Sequence, residues 1–332
     1  AHTTWFFETF VLKRQPDYRC FNEQFEYLFN SYYNTVGQQF PRPRRGLLSR
    51  PTVAEVLEYR DYVDRHVAAL LNSDVDHALL SVVLLGLNHE QQHQELMLTD
   101  IKHVLSCNPL FPIYQDNQPL YLGPSSEKRD VIKFDEGIYE IGYEGKGFAF
   151  DNEGPRHRVF LEEFAIQSHP VTCGDYLRFI EDGGYERPEL WQSLGWHQIN
   201  EHDWKAPEYW HPVDGQWKQF TMGGLIDVNV DLPICHVSYF EADAYARWAG
   251  ARLPTEAEWE VASSTVSDEG NFAETLLDDH HAVHPTNRSL GSGAATQMMG
   301  DVWEWTSSPY VAYPGYQPAA GALGEYNGKF MC

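Results

Sequence analysis

Thirty residues, His77–Ser106, read HALLSVVLLGLNHEQQHQELMLTDIKHVLS and contain no proline. A run of that length without a breaker has one comfortable state in water, a helix of about eight turns. Its start is expected at Ser73-Asp74-Val75-Asp76, where short side-chain oxygens can satisfy the free amides of a first turn. The first half, 79–87, is apolar on nearly every face, which predicts a central position in a helical bundle. The second half carries His89 and His93, four residues apart. Positions i and i+4 share one helix face at about 6 Å, so the two imidazoles can bind one cation.

The rest of the first third also reads as helix. After Pro51, Thr52 and Glu55 form a capping box, and Val53, Val56, Leu57, Val63, Val67, Leu70 and Leu71 recur at helical spacing. From about 108 to 130, prolines, glycine and polar residues mark a linker of irregular extended pieces. Beyond it glycine and aromatics rise and long helical periodicity ends. Short amphipathic helices are expected over Cys173–Glu181 and 239–249, among strands and loops. A length of 332 residues predicts two domains: a helical bundle over 1–112, a linker over 113–132 and an α+β domain over 133–332.

HEQQH matches the H-E-x-x-H of zinc metalloproteases. Such a protease also needs a third ligand. The extended metzincin motif would put Gly at 96 and His at 99, where this chain has Leu96 and Thr99. Other zincins draw a glutamate from a following helix, and here that region is the Pro-rich linker. Glu90, which a protease would use as its base, is expected to be solvated. A different third ligand is available in His2, within HTTWFFETF, where Trp5, Phe6 and Phe10 mark a buried helix face. A ligand from a separate helix is what a three-histidine site in a bundle requires. Neutral imidazoles suit Zn, Cu, Fe or Ni, so spacing leaves the metal open. Three nitrogen ligands leave up to three positions for substrate and O2.

Charge narrows the partners. Asp and Glu number 48 against 24 Lys and Arg, a net charge of −24, which repels nucleic-acid phosphates and anionic lipid. No apolar run reaches the length of a membrane span. Cys20, Cys107, Cys173, Cys235 and Cys332 are dispersed with no C-x-x-C spacing. That pattern argues against a disulfide framework and fits a reducing cytoplasm. The opening AHTTWFFETF reads as though it began inside a helix, so a true start upstream is expected.

HTTWFFETF, FNSYYNTVG, PRPRRGLLSRPTV and NHEQQHQELMLTDIKH together resemble the N-terminal half of the iron-dependent sulfoxide synthases of ergothioneine biosynthesis, a DinB-like helical bundle. FDNEGPRHRVFLEEFAI, PVTCGDYLRFIEDGGY, PICHVSYFEADAYARWAGARLPTEAEWEVAS and GDVWEWTSSPY resemble the formylglycine-generating-enzyme-like fold, a relative of C-type lectins. The resemblance runs in the family's order over nearly the whole chain. It implies a non-haem Fe(II) enzyme that uses O2 to join a cysteine-type thiol, cysteine or γ-glutamylcysteine, to C2 of the imidazole of Nα-trimethylhistidine. His2, His89 and His93 fall where the family's iron ligands are.

Further roles follow from the same resemblance. Tyr32 and Tyr33 match a position where one branch carries its active-site tyrosines, and a phenol there can donate a proton or hydrogen. Arg42 and Arg45 are expected to grip the thiol substrate's carboxylate, which a guanidinium binds bidentately. Gln92 matches a position that hydrogen-bonds near the bound imidazole. The trimethylammonium group is expected against aromatic faces or a carboxylate that the sequence does not single out. The family's closing Gly-rich and Arg/Asn-aromatic motifs do not occur before NGKFMC, so the second domain is expected to be incomplete at its C-terminal end. Trp259, Trp303 and Trp305 are expected as buried scaffold. Formylglycine generation itself needs a late pair of copper-binding cysteines, of which Cys332 is at most one. The competing readings are selenoneine formation from a selenosugar, ovothiol-type chemistry on unmethylated histidine, a zinc metalloprotease, and a lectin-like binding module.

Overall fold

The computed structural model describes residues 1–115, 119–123, 130–288, 293 and 295–331, so Cys332 and parts of the expected linker lie outside the described residues. Contacts divide the chain into two compact units, neither continuous in sequence: 1–99 with 142–157 and 310–332, and 100–141 with 158–309.

The first unit is built from helices α1 (His2–Phe10), α2 (Gln24–Phe29), α3 (Val53–Leu71) and α4 (His77–Ser106) as far as Thr99. The expected capping box opens α3: the Thr52 amide donates to Glu55 Oε2 at 2.7 Å and the Glu55 amide to Thr52 Oγ1 at 3.2 Å. At the start of α4 the Leu79 amide donates to Asp76 Oδ1 at 2.7 Å. Trp5, Phe6 and Phe10 of α1 pack with Val11, Tyr33, Leu79, Val82, Val83 and Tyr326 in one core cluster. A second joins Leu12, Phe25, Tyr59 and Val63. Beside the second cluster lies Glu8, whose buried carboxylate accepts from the hydroxyls of Tyr18 and Tyr59, both at 2.7 Å, and from the Phe21 amide at 3.1 Å. Three donors compensate the loss of water around that charge.

The expectation that 79–87 sits centrally is corrected. Leu79, Val82, Val83, Gly86 and His89 form one buried stripe of α4, whereas Leu80, Leu84 and Leu87 are exposed. Among the described residues no layer covers that second face, so only α1's side of the helix is buried. The approach on the buried side is close: a Cβ on Gly86 would lie 2.6 Å from the Phe7 ring.

In the second unit, strands β1 (Val131–Phe134), β2 (Gly137–Ile141), β3 (His157–Leu161) and β4 (Phe164–Gln167) pair as β1–β4 and β2–β3. The β1–β4 pair is antiparallel, Val131 facing Gln167. Strands β5 (Trp210–Val213), β6 (Gln216–Thr221) and β7 (Gly224–Asp227) form an antiparallel meander. Asp214 (φ 51°) and Gly215 (φ 79°) make the two-residue turn between β5 and β6, a left-handed pair that Asp-Gly adopts at low cost. Helices α5 (Cys173–Glu181), α6 (Ser193–Glu201), α7 (Tyr239–Trp248), α8 (Glu256–Ser263) and α9 (Ala273–Asp278) complete the unit. The two short helices read from the sequence appear as α5 and α7. Tyr176, Phe179, Tyr185, Leu190, Trp191, Ile199 and Ala244 make its main core.

The tryptophans depart from expectation. Trp303 is 87% exposed and Trp305 48% exposed, and Trp259 is half-buried. Trp303 and Trp305 border an open groove of about 500 Å³ with Phe164, Tyr176 and Tyr245, and no described residue fills it. Glu304, itself exposed, accepts from Trp259 Nε1 at 3.0 Å. Among the described residues no helix is long and apolar enough to cross a membrane.

Candidate metal centre

Helix α1 begins at His2, and α4 presents His89 and His93 one turn apart. The structure brings the three together: their ligating atoms all lie within 4.8 Å of one another. Ring centroids are 5.1 Å apart for His2 and His89, 5.2 Å for His2 and His93, and 4.7 Å for His89 and His93. The Nε2 atoms of His89 and His93 approach to 3.1 Å.

The donors are set for a cation. His2 Nδ1 lies 2.7 Å from the Phe29 carbonyl oxygen, which only an N–H at Nδ1 satisfies. Nε2 therefore carries the lone pair, and this buried atom has no hydrogen-bond partner. An outer hydrogen bond that fixes the tautomer and turns the other nitrogen inward is the usual arrangement of a histidine ligand. Burial pushes His2 down to about 4, against the bond to Phe29, and pushes His89 down to about 3 with help from its two neighbours. Burial also lowers His93. All three are neutral at pH 7 and can ligate without first losing a proton. A set of three imidazole nitrogens suits a divalent first-row transition metal.

The second layer is aromatic. Trp5 stacks on His2 at 5.4 Å, and Phe6 lies 5.2 Å from His89. Tyr32 and Tyr33 lie 6.1 and 6.5 Å from the His2 ring. Tyr33 is fully buried, and the Tyr32 hydroxyl donates to the Tyr33 hydroxyl at 3.1 Å. Burial raises both phenols, so both stay protonated. Arg42 and Arg45 sit on one 3-10 turn, Arg42–Leu47. Arg42 is exposed and its Nη2 donates to the Ser31 carbonyl at 3.5 Å, while the half-buried Arg45 lends its charge to the surroundings of His2. Gln92 is exposed on α4 and accepts a hydrogen bond from Tyr326.

Glu90 is not the solvated residue expected. Burial works against its charge, but hydrogen bonds from Thr3 and Arg60 hold the carboxyl below its ordinary value; Arg60 Nη1 lies 3.0 Å away. An engaged carboxylate of that kind is poorly placed to serve as a protease's free base.

Sequence reasoning missed one wall of the pocket. Tyr326 meets His89 edge-on at 5.5 Å, and Lys329 Nζ sits 4.1 Å over the Tyr32 ring while donating to the Tyr32 carbonyl. Glu325 receives the Asn34 and Thr35 amides at 2.9 and 2.7 Å. The last two contacts join segments about 290 residues apart, and no local periodicity announces them.

A match to the sulfatase-modifying factor enzyme 1-like domain covers residues 123–329. The chain belongs to this family. Within the family, it is 35% identical over 252 residues to the hercynine oxygenase of Mycolicibacterium smegmatis, covering 70% of this chain and 57% of that protein. The hercynine oxygenase of Mycobacterium tuberculosis is 34% identical over 270 residues, 75% of this chain and 61% of that protein. The chain thus spans less than two thirds of the length of these relatives. The inactive C-alpha-formylglycine-generating enzyme 2 of Mus musculus is 32% identical over 196 residues, 48% of this chain and 63% of that protein. These relatives bear out the likeness to the sulfoxide synthases read from the sequence.

Proposed function

We propose that this chain carries the metal centre of a non-haem Fe(II), O2-dependent sulfoxide synthase. Its reaction joins a cysteine-type thiol to C2 of the imidazole of Nα-trimethylhistidine. The observation that carries the reading is the convergence of His2, His89 and His93, with the His2 Nε2 buried and unpartnered, in a relative of hercynine oxygenases. The balance is simple. One thiol, one imidazole C–H and one O2 give the aryl sulfoxide and one water, O2 taking four electrons as the C–S and S–O bonds form.

His2, His89 and His93 would hold the iron, which when bound supplies O2 activation and makes a bound thiol more acidic. The chain's own residues do the rest. The guanidinium groups of Arg42 and Arg45 would orient the thiol substrate through its carboxylate. Gln92 would meet the imidazole. Tyr32, the less buried of the two phenols, and Tyr33, whose hydroxyl accepts from it, would together hold a transferable proton. Trp5, Phe6 and Tyr33 keep water from the rear of the site. The domain limits proposed are a DinB-like bundle over 1–112, a linker over 113–132 and a formylglycine-generating-enzyme-like domain over 133–332. The partners are small molecules, and a reducing cytoplasm is the compartment proposed.

The test is anaerobic loading with Fe(II), then O2 uptake with trimethylhistidine plus cysteine, γ-glutamylcysteine or a selenosugar, and with unmethylated histidine plus cysteine. Uptake with one pair, lost in His93→Ala, is expected. Uptake only with selenosugar or only with histidine would reassign the donor or the acceptor. Peptide cleavage by a zinc-loaded protein without O2 uptake would overturn the reading.

A further inference from the structure

Gln92 stands three residues after His89 and one before His93 on α4, and its amide reaches Tyr326, whose ring meets His89 edge-on. A glutamine amide can turn over with little change of shape, which exchanges an acceptor for two donors at the same point in space. A residue that is to meet a ligand in one way therefore needs its amide held.

We infer that Tyr326 is a positioning residue that acts through Gln92, holding its carbonyl and fixing which edge of the amide faces a ligand beside the three histidines. The Tyr326 hydroxyl donates to Gln92 Oε1, and among the described residues it has no other hydrogen-bond partner. Turning the amide over would leave that O–H without an acceptor. Tyr326 itself is immobilised. It is only 7% exposed, and its ring stacks on Phe150 at 5.8 Å with planes 12° apart and meets His89 edge-on. The chain is pinned on both sides of it: Glu325 by the Asn34 and Thr35 amides, and Asn327 by Asp151 Oδ1 at 2.6 Å and Asn152 Oδ1 at 3.0 Å. A buried phenol on a pinned segment, aimed at an exposed amide next to two metal-ligating histidines, costs order that packing alone does not require. The amide so held keeps one carbonyl lone pair and both N–H groups for an azole ring. This inference names a residue of the ligand pocket and rests on the function proposed above for its natural substrate.

The test uses the full chain loaded with Co(II), which gives a visible spectrum and is assayed without turnover. Wild type, Tyr326→Phe, Gln92→Ala and the double variant are titrated with Co(II), then with imidazole and with trimethylhistidine. Selective ¹⁵N-glutamine labelling, with Gln92→Ala assigning the resonance, follows the Gln92 side chain directly. Tyr326→Phe is expected to leave Co(II) affinity unchanged, to move the Gln92 NH2 resonance toward its solvent-exposed position, and to weaken imidazole by about 3- to 10-fold, the worth of one hydrogen bond. The double variant should bind imidazole no more weakly than Gln92→Ala, because Tyr326 acts only through Gln92. Additive losses, an unmoved resonance or equal imidazole affinities in wild type and Tyr326→Phe would overturn the inference. A parallel fall in Co(II) affinity would make Tyr326 a structural support instead, and also overturn it. If imidazole behaves as expected while trimethylhistidine does not bind wild type, the proposed substrate falls and the role of Tyr326 stands.

Discussion

Replacing Glu8 by Gln tests how the helix bearing His2 is held. The carboxylate accepts from Tyr18 and Tyr59 at 2.7 Å and from the Phe21 amide at 3.1 Å, with Glu8 2% and Tyr59 0% exposed. A glutamine of the same shape can keep Oε1 facing Tyr18 and Phe21. Its NH2 then faces Tyr59, whose O–H loses its acceptor in a place water does not reach. Leaving one buried donor unsatisfied costs about 1–3 kcal/mol, and weakening the two bonds that remain from ionic to neutral acceptor adds about 1 kcal/mol. Part of this is offset because a buried charge is no longer desolvated. The net expectation is a loss of about 2–3 kcal/mol. Urea denaturation followed by near-ultraviolet circular dichroism reads the loss, and hydrogen exchange should localise it to α1 and α3. The double variant Glu8→Gln/Tyr59→Phe should recover part of it by removing the orphaned hydroxyl. A Glu8→Gln protein within about 0.5 kcal/mol of wild type, the scatter of an ordinary surface change, would refute the argument that this carboxylate ties α1 to its neighbours.

Other consequences can be checked alongside. Because burial depresses His2 to about 4 and His89 to about 3, the stability that their neutral forms give the metal-free protein is complete above about pH 6.5 and is lost as the pH falls toward their folded values. Thermal melts of chelator-treated protein should drop steadily below about pH 6, and a flat profile down to about pH 4 would contradict it. For the same reason Co(II) affinity should fall less steeply below about pH 6.5 than it would for three ordinary histidines; a loss as steep as theirs would contradict it. Gly86→Ala drives a methyl to 2.6 Å from the Phe7 ring; a loss of about 1–3 kcal/mol and weaker Co(II) binding are expected, and a silent variant would mean that α1 shifts freely. Glu90→Gln removes an ion pair with a partly exposed Arg60 and should cost no more than about 1 kcal/mol while leaving metal content unchanged; loss of metal would give Glu90 a role in the centre.

What the sequence made legible was local or periodic. Thr52 and Glu55 announced the start of α3 because a capping box is complete within four residues. His89 and His93 announced a shared face because helical spacing alone sets their separation. His2 was legible through the aromatic residues that bury its helix. The burial of 79–87 was not, since composition says that a surface is apolar and only tertiary packing says which part is covered. Val82 and Val83 are buried against α1, while Leu84 beside them is exposed although it is no less apolar. Trp303 and Trp305 failed for the same reason. Tyr326 escaped altogether, because its contacts with Gln92 and His89 close a loop of more than 230 residues, and nothing in a linear pattern pairs residues across such a distance.

That long-range closure has a consequence for biogenesis. A ribosome finishes α1 and α4 early and then makes more than two hundred further residues before Tyr326 and Lys329 emerge. Until then His89 lacks the edge-on cover of Tyr326. A metal that bound the three imidazoles during synthesis would therefore meet a site with one wall still missing, and a metal that bound after release would meet the finished one.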